Sequence, residues 1–402
     1  MPPLVRTRVE SLSPELKGSL QEMALRAVLG HATMVTAGNS SEVREALERA
    51  LRLAEELNDP LHQFRLLSGL HFYHRRIGAF DELLPIARQA ERIAPLLGGA
   101  GPIVAAKAML AVSHHLKGHL AEAYTALVQV RDAPVDANAM LNFYGFHRDA
   151  EVLIARTLWL QGFPDQAAQA EYAANKLGRH KDPVTACLGL MWGISVHYRR
   201  GDWATTESYI ERILEMANEH SFLPYKWFVM ALRGDLLRQR GDIAAGLSDL
   251  REYLRRLREG RYEIYTPWLT CCLAEGLAAT GRVDQALSLL NEFDPDPGTR
   301  SDCYMAELLR VRGAVWAQAG EISAAQRAFR ASIEMADAQG ALSWRLRTVT
   351  SQARVLLDQG RPAEARAALA ETYGRFTEGF DTLDLRTARA LLEEIETHAV
   401  QV

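Results

Sequence analysis

Along most of the chain, apolar residues recur every three or four positions, the spacing that places them on one face of an α-helix. Residues 320–335 (GEISAAQRAFRASIEM) illustrate the pattern, because Ala325 and Phe329 lie four positions apart and share a face. The preceding helix carries the small residue Gly313 on its contact face. The pattern predicts a helical hairpin in which the two helices approach closely at these residues.

A glycine-containing turn recurs along the chain and divides it into repeats. Nine glycines each end an apolar helical run, and neighbouring ones are separated by 39 to 44 residues. They are Gly38, Gly78, Gly118, Gly162, Gly201, Gly241, Gly281, Gly320 and Gly360. A helix C-terminus favours a left-handed residue, which costs a side chain bearing Cβ about 1 kcal/mol. We therefore expect a left-handed turn at each of these glycines.

A constant stride of about 40 residues over nine copies is typical of a helical solenoid. We predict an all-α protein, a right-handed α-solenoid of about nine tetratricopeptide-repeat-like (TPR-like) helix hairpins with a C-terminal capping helix. The predicted divisions are a lead-in over residues 1–18, a superhelical domain over residues 19–376 and the capping helix within residues 377–402. Irregular segments are expected at residues 131–142 and 294–298, where the helical pattern is interrupted.

The two ends of the predicted array differ. The last helix has a polar face that fits an exposed end of a solenoid. Its polar residues are Arg386, Arg389, Glu393, Glu394 and Glu396. No comparable cap precedes the first repeat, and we expect that a further segment precedes residue 1 in the full-length protein.

Composition and charge narrow the class of protein. A chain of 402 residues is long for one globular core, but a solenoid grows by adding repeats that contact only their neighbours. The net charge of −4 argues against direct binding of nucleic acid by bulk electrostatics. No apolar run of membrane-spanning length and no signal peptide occurs in the sequence, so we expect no membrane association and a cytoplasmic location.

The sequence contains no recognisable catalytic pattern. Nucleotide-binding, zinc-protease, calcium-binding and nucleophile-elbow motifs are all missing from it. We therefore predict that the chain is not an enzyme, and that it has no catalytic residue, no cofactor and no metal site. His71 and His74 lie three positions apart, but no third ligand has a matching spacing, and packing between helices is the favoured interpretation.

Candidate binding residues follow from the geometry of a TPR-like stack, in which the first helix of each hairpin lines the concave surface. The residues three and six positions before each turn glycine, with their neighbours one turn earlier, are expected to face inward. The predicted ligand-binding residues are Arg156, Trp159, Tyr198, Trp227, Asp235, Arg238, Trp268, Glu275 and Arg310. Such a groove suits a peptide or small ligand. Alternatively, the aromatic rings fill contacts between repeats and the charges pair with each other.

Several stretches resemble a family of bacterial signalling proteins. They are LWLQGFPDQA (158–167), LAEGLAATGRVDQAL (273–287), AELLRVRGAVW (306–316) and YGRFTEGFDTLDLRTARALLEEI (373–395). They are similar to the C-terminal TPR sensor region of STAND-type ATPase regulators, whose N-terminal effector is a winged-helix DNA-binding domain or a class III nucleotide cyclase. The first stretch favours the winged-helix branch. The resemblance implies a sensor region similar in role to that of the maltose regulator MalT.

Two functions are consistent with these observations. In the first, the chain is the sensing and regulatory region of a transcriptional regulator. It would bind a small-molecule inducer or a regulatory protein or peptide in its concave groove and control the upstream ATPase and DNA-binding domains of the same polypeptide. In the second, it is a stand-alone TPR scaffold that joins proteins without a small ligand.

Overall fold

A computed structural model describes residues 18–36, 38–133, 146–177, 183–293 and 301–401 of the chain. The described part contains 19 α-helices, two short 3-10 helices (Phe80–Glu82 and Ala94–Leu97) and no β-strand. The α-helices are α1 (Leu20–Thr36), α2 (Ser41–Glu56), α3 (Pro60–Arg76), α4 (Leu83–Ile93), α5 (Ala100–Leu116), α6 (Leu120–Arg131), α7 (Phe146–Gln161), α8 (Pro164–Leu177), α9 (Pro183–Arg200), α10 (Trp203–Glu219), α11 (Leu223–Gln239), α12 (Ile243–Glu259), α13 (Thr266–Ala279), α14 (Val283–Phe293), α15 (Met305–Gln318), α16 (Ile322–Gln339), α17 (Leu342–Asp358), α18 (Pro362–Tyr373) and α19 (Leu383–Gln401).

The helices from α1 to α18 pair into nine hairpins, so the predicted α-solenoid is confirmed. Every one of the nine turn glycines has a positive φ, between 71° and 107°. The predicted close approach at Gly313 is also confirmed, because a Cβ atom there would lie only 2.6 Å from the Phe329 ring. Ala325 and Phe329 are both fully buried in this hairpin.

The two helices of a hairpin occupy different environments. Helix α13, the first of its pair, buries all but two of its 14 residues. Helix α12, the second helix of the preceding hairpin, buries only five of its 17 residues, all on one stripe. The first helices therefore form the interior of the superhelix and the second helices form its outer layer, which explains why the amphipathic pattern is clearest in the second helices.

The superhelix is wound so tightly that hairpins far apart in sequence touch. Hydrogen bonds join residues separated by 184 positions at Trp159 and Ser343 and by 222 positions at Asn39 and Arg261. We call these contacts the seam, and they pair Asn39 with Gly260 and Arg261, Arg76 with Glu263, Leu116 with Cys303, Trp159 with Ser343, and Asp165 with Glu378 and Gly379. The concave surface that the sequence predicts as an open groove is therefore largely enclosed.

Helix α19 covers the C-terminal end of the stack. Of its predicted polar residues, Arg386, Arg389, Glu393 and Glu396 are exposed, whereas Glu394 is half-buried and pairs with Arg354. The predicted lead-in and the linker at residues 294–298 lie outside the described residues, as does most of the interruption at 131–142. The domain boundaries stay predictions.

Two further observations concern the whole described part. None of its helices is both long and apolar enough to cross a membrane. All four cysteines are buried and unbridged, and burial raises the pKa of the Cys303 thiol to about 12.

His71 and His115 are buried between neighbouring first helices, where they hydrogen-bond Ser113 and Thr157 respectively.

Candidate functional site

Arginine side chains and aromatic rings fill the interior of the superhelix where the seam closes it. Arg76, near the end of α3, is 2 % exposed. Its guanidinium carbon lies 4.8 Å from the centre of the Tyr262 ring, 5.2 Å from Phe72 and 5.4 Å from Tyr225. None of its three guanidinium nitrogens has a hydrogen-bond partner among the described residues. Aromatic rings therefore surround the cation, whereas its N–H groups lack acceptors among the described residues.

Arg156 in α7 has a similar environment. Its guanidinium carbon lies 5.0 Å from the Trp192 ring and 4.8 Å from the Tyr304 ring. The guanidinium carbon of Arg75 lies 4.7 Å from the centre of the Phe72 ring and 5.8 Å from that of the Trp192 ring. Arg75 therefore shares one ring with Arg76 and one with Arg156. Cations and rings therefore alternate through the interior.

Arg199 in α9 completes the series. Its guanidinium carbon is 4.3 Å from the ring of Trp344, 5.0 Å from that of Trp159 and 5.1 Å from that of Trp268. The Trp159 and Trp344 rings meet edge to face at 5.1 Å, which joins the fourth hairpin to the ninth. We call Arg76, Arg156 and Arg199, with the rings that they face, the central cluster.

The charge of the central cluster is not neutralised within the described part of the chain. None of Arg76, Arg156 and Arg199 forms an ion pair with a described carboxylate. All three side chains are nevertheless buried, and even Arg199 is only 7 % exposed. Burial, together with the positive charge of Arg347, lowers the pKa of Arg199. Burial and Arg76 likewise lower the pKa of the nearby His31 to about 4. Cation–π contacts contribute about 0.5–2 kcal/mol each, whereas desolvating an ion costs several kcal/mol.

A second group of charges in the same interior is fully paired. Glu307 in α15 accepts hydrogen bonds from Arg310 at 2.8 Å and from Arg347 at 2.9 Å. Arg310 also pairs with Glu275, and Arg347 with Asp384 of the capping helix. Burial alone would raise the pKa of Glu307, but the two guanidinium groups hold it well below the ordinary glutamate value. We call these five residues the ion-pair cluster.

A third polar group joins three of the predicted binding residues. Tyr198 donates a short hydrogen bond to Asp235, whose other oxygen accepts one from Arg238 at 2.7 Å. Burial and Asp235 raise the pKa of Tyr198 well above its usual value. The Tyr198 ring also meets the Trp268 ring at 4.9 Å, so this group adjoins the central cluster.

The structure brings eight of the nine predicted residues into connected clusters. Arg156, Trp159 and Trp268 belong to the central cluster, Glu275 and Arg310 to the ion-pair cluster, and Tyr198, Asp235 and Arg238 to the group between them. Trp227 lies apart from them, against the turn at Gly260, where it is half-buried. Ligand binding by these residues stays a prediction.

Sequence reasoning missed Arg76 and Arg199, two of the three arginines of the central cluster that have no ion-pair partner in the described part. Both lie two positions before a turn glycine, in HRRIG and YRRG, rather than at the three- and six-residue offsets used for the prediction. An arginine pair before the turn in two separate repeats was the signal that would have found them.

Two of the stretches that carry the family resemblance meet at the seam. The carboxylate of Glu378 accepts hydrogen bonds from the backbone N–H groups of Asp165 and Gln166, at 2.9 and 3.0 Å, and thereby caps the N-terminus of α8. In return, Asp165 accepts a hydrogen bond from the backbone of Gly379. A Cβ atom on Gly379 would lie 2.0 Å from the Pro164 ring. The two stretches therefore lock the fourth hairpin to the capping segment.

An open groove remains at the C-terminal end of the superhelix. It has a volume of about 840 Å³ and is formed by the last turns of α15 and α17 and the middle of α19. Arg354 and Glu394 lie on its walls. A smaller cleft of about 660 Å³ lies at the seam, beside Ile77 and Glu263.

Comparisons with known proteins support the fold. The sequence matches no protein-family model and no curated protein. Among solved structures, a Rap protein complexed with Competence and Sporulation Factor has a TM-score of 0.52 at 12 % identity, covering 84 % of this chain and 99 % of its own. A tetratricopeptide repeat protein from Parabacteroides merdae has a TM-score of 0.40 at 14 % identity, with 74 % of this chain and 100 % of its own covered.

A STAND protein with a tetratricopeptide repeat sensor from Pyrococcus horikoshii is also similar, with a TM-score of 0.44 at 14 % identity. The match covers 99 % of this chain but only 56 % of the STAND protein. At such identities the likeness extends to the fold alone. The likeness to the Rap protein, at a TM-score of 0.52, therefore supports the fold and nothing further.

Proposed function

We propose that this chain is a regulatory binding module that encloses a ligand or partner segment within its superhelix. The observation that carries the proposal is the lining of the interior, where the buried side chains of Arg76, Arg156 and Arg199 face aromatic rings and have no ion-pair partner among the described residues. A purely structural interior gains most from apolar groups, because each buried ion must be desolvated. Charged groups that lack partners among the described residues are better explained as contacts for a ligand.

The seam provides a physical basis for regulation. Its polar contacts hold the closed coil, and each net hydrogen bond is worth only about 1 kcal/mol. A ligand that binds either the closed or the open coil better than the other would shift the population towards that state. The Rap protein with a similar fold was solved in complex with Competence and Sporulation Factor, which illustrates that such an architecture accommodates a partner.

We further propose that the module controls upstream ATPase and DNA-binding portions of a bacterial transcriptional regulator, without catalysing a reaction itself. This finer assignment depends on the resemblance of the four sequence stretches to STAND-type regulators. Two of those stretches meet at the Asp165–Glu378 contact, so a change in the interior would be transmitted to the capping segment through a defined contact.

A thermal-unfolding screen of the purified chain against sugars, organic acids, nucleotides and short peptides tests the proposal. A ligand that binds the folded chain raises the melting temperature, and above Kd the rise grows with the logarithm of the ligand concentration. A concentration-dependent rise that is lost in Arg156→Ala is the expected result. If no compound class raises the melting temperature, the proposal is contradicted.

The open groove at the C-terminal end favours scaffolding as a second candidate function. Its volume of about 840 Å³ suits a peptide or helix from another protein. A scaffold of this kind would respond only to a protein partner, and Ala390→Glu on the groove wall would block it. A response that survives Ala390→Glu but is lost in Arg156→Ala would instead assign the site to the interior.

A further inference from the structure

We propose that the central cluster is an anion-binding site, which takes a small ligand bearing at least two carboxylate or phosphate groups. The inference rests on the proposed binding function and names the chemical class of the ligand. Its starting point is Arg76, where all three guanidinium nitrogens are buried and lack a hydrogen-bond partner among the described residues.

The unsatisfied N–H groups of the guanidinium groups identify the chemistry. In Arg76, the rings of Phe72, Tyr225 and Tyr262 surround the cation, and its guanidinium N–H groups are left without acceptors among the described residues. Nη1 of Arg156 is likewise without a partner among the described residues. Edge hydrogens of a guanidinium group match the paired oxygens of a carboxylate or phosphate. A neutral ligand would leave the positive charge uncompensated.

The carboxylates in the same interior are already committed to other cations. Glu307 and Asp384 pair with Arg310 and Arg347, and Asp235 pairs with Arg238. No described carboxylate pairs with Arg76, Arg156 or Arg199, so the three positive charges require a counter-charge from outside this part of the chain. An anion with two or more negative charges provides it.

Access is provided by the cleft at the seam. The cleft of about 660 Å³ is lined by Ile77 and Gly78, which directly follow Arg76, and by Glu263. The backbone N–H of Glu263 donates a hydrogen bond to the carbonyl oxygen of Arg76 at 2.6 Å. We infer that parting this contact of the seam would open a route from the cleft to Arg76.

Calorimetric titration of the purified chain with pyrophosphate and with citrate, at constant ionic strength, tests the inference. We expect saturable binding of at least one anion and a dissociation constant that rises at least tenfold in Arg76→Met and in Arg156→Met. Arg361→Gln is the matched control, because it removes an exposed arginine that pairs only near the surface, and it should leave the affinity unchanged. A tetraglutamate peptide as a third titrant distinguishes acidic peptides from free small anions.

The variants also separate an anion site from a structural arginine. Met fills the space between the rings without a charge, so Arg76→Met should fold with a melting temperature at or above that of the unsubstituted chain. If Arg76→Met does not fold, Arg76→Lys, which keeps the charge and loses the edge geometry, should still fold and bind pyrophosphate or citrate at least tenfold more weakly.

Three outcomes would overturn the inference. One is that none of the three titrants binds the unsubstituted chain, and another is that Arg76→Met and Arg156→Met bind as tightly as it does. The third is that tetraglutamate alone binds, which would replace the small anion by an acidic peptide. Binding of a neutral compound in the thermal screen, with no anion binding, would remove this inference and leave the proposed function in place.

Discussion

Two groups of arginines share the interior of this superhelix, and they differ in what surrounds them. In the ion-pair cluster, Arg310 and Arg347 donate hydrogen bonds to the buried carboxylate of Glu307. In the central cluster, Arg76 and Arg199 are held between aromatic rings and have no carboxylate partner in the described part. The comparison separates two roles for buried charge. A paired charge fixes the arrangement of helices, whereas an unpaired charge costs stability and is available to a ligand.

The largest expected effect belongs to the ion-pair cluster. Glu307→Gln removes the shared carboxylate and leaves Arg310 and Arg347 with only their outer partners, Glu275 and Asp384. Breaking a buried ion pair from one side costs about 3–5 kcal/mol. Urea unfolding should therefore show a loss of about 4 kcal/mol in the free energy of unfolding. Glu364→Gln, which breaks an exposed pair with Arg361, is the control and should barely move the midpoint.

A somewhat smaller effect is expected at the seam. Gly379 has a φ of 74°, and a Cβ atom there would lie 2.0 Å from the ring of Pro164. Gly379→Ala should lose about 3 kcal/mol, the sum of a left-handed Cβ and an overpacked contact. Gly360→Ala has nearly the same φ, 72°, but no atom within 4 Å of its Cβ position, and should lose only about 1 kcal/mol. Equal losses in the two variants would show that the seam contact is absent in solution.

The burial of His31 near Arg76 predicts a pH dependence of stability that is smaller still. Burial and Arg76 lower the pKa of His31 from 6.5 to about 4, so the unfolded chain binds a proton at this histidine that the folded chain does not. Stability is therefore lost as pH falls below about 6.5, by about 1.4 kcal/mol per unit at most. Between pH 7 and 5 the unsubstituted chain should lose about 2 kcal/mol more than His31→Gln. Parallel pH profiles would mean that the pKa of His31 is not lowered in the folded chain.

The repeat architecture is predictable from the sequence because the signals are local. The left-handed turn at Gly320 and the close approach of Gly313 to Phe329 each depend on residues within a single hairpin. The exposed residues of the capping helix follow from the same periodicity, although Glu394 turned out to be half-buried against Arg354.

Enclosure of the interior was not predictable, because it depends on small rotations that accumulate over four to five repeats before Trp159 meets Ser343. The same limit applies to the binding residues. Offsets from the turn glycine found Arg156 and Trp159, but the partners that decide their roles, such as Tyr304 and Trp344, come from the opposite side of the coil. Only a structure shows that Arg310 pairs with carboxylates and that Arg199 pairs with none in the described ranges.

The most direct test of this account compares two arginines of nearly equal burial, Arg199 at 7 % exposure and Arg310 at 6 %. The measurement is the free energy of unfolding of Arg199→Met and Arg310→Met, each from urea titration of the ligand-free chain. The account predicts that Arg310→Met loses about 3 kcal/mol, because Glu307 keeps only part of its counter-charge, and that Arg199→Met is neutral or more stable. A loss in Arg199→Met as large as that in Arg310→Met would contradict the distinction between the two clusters.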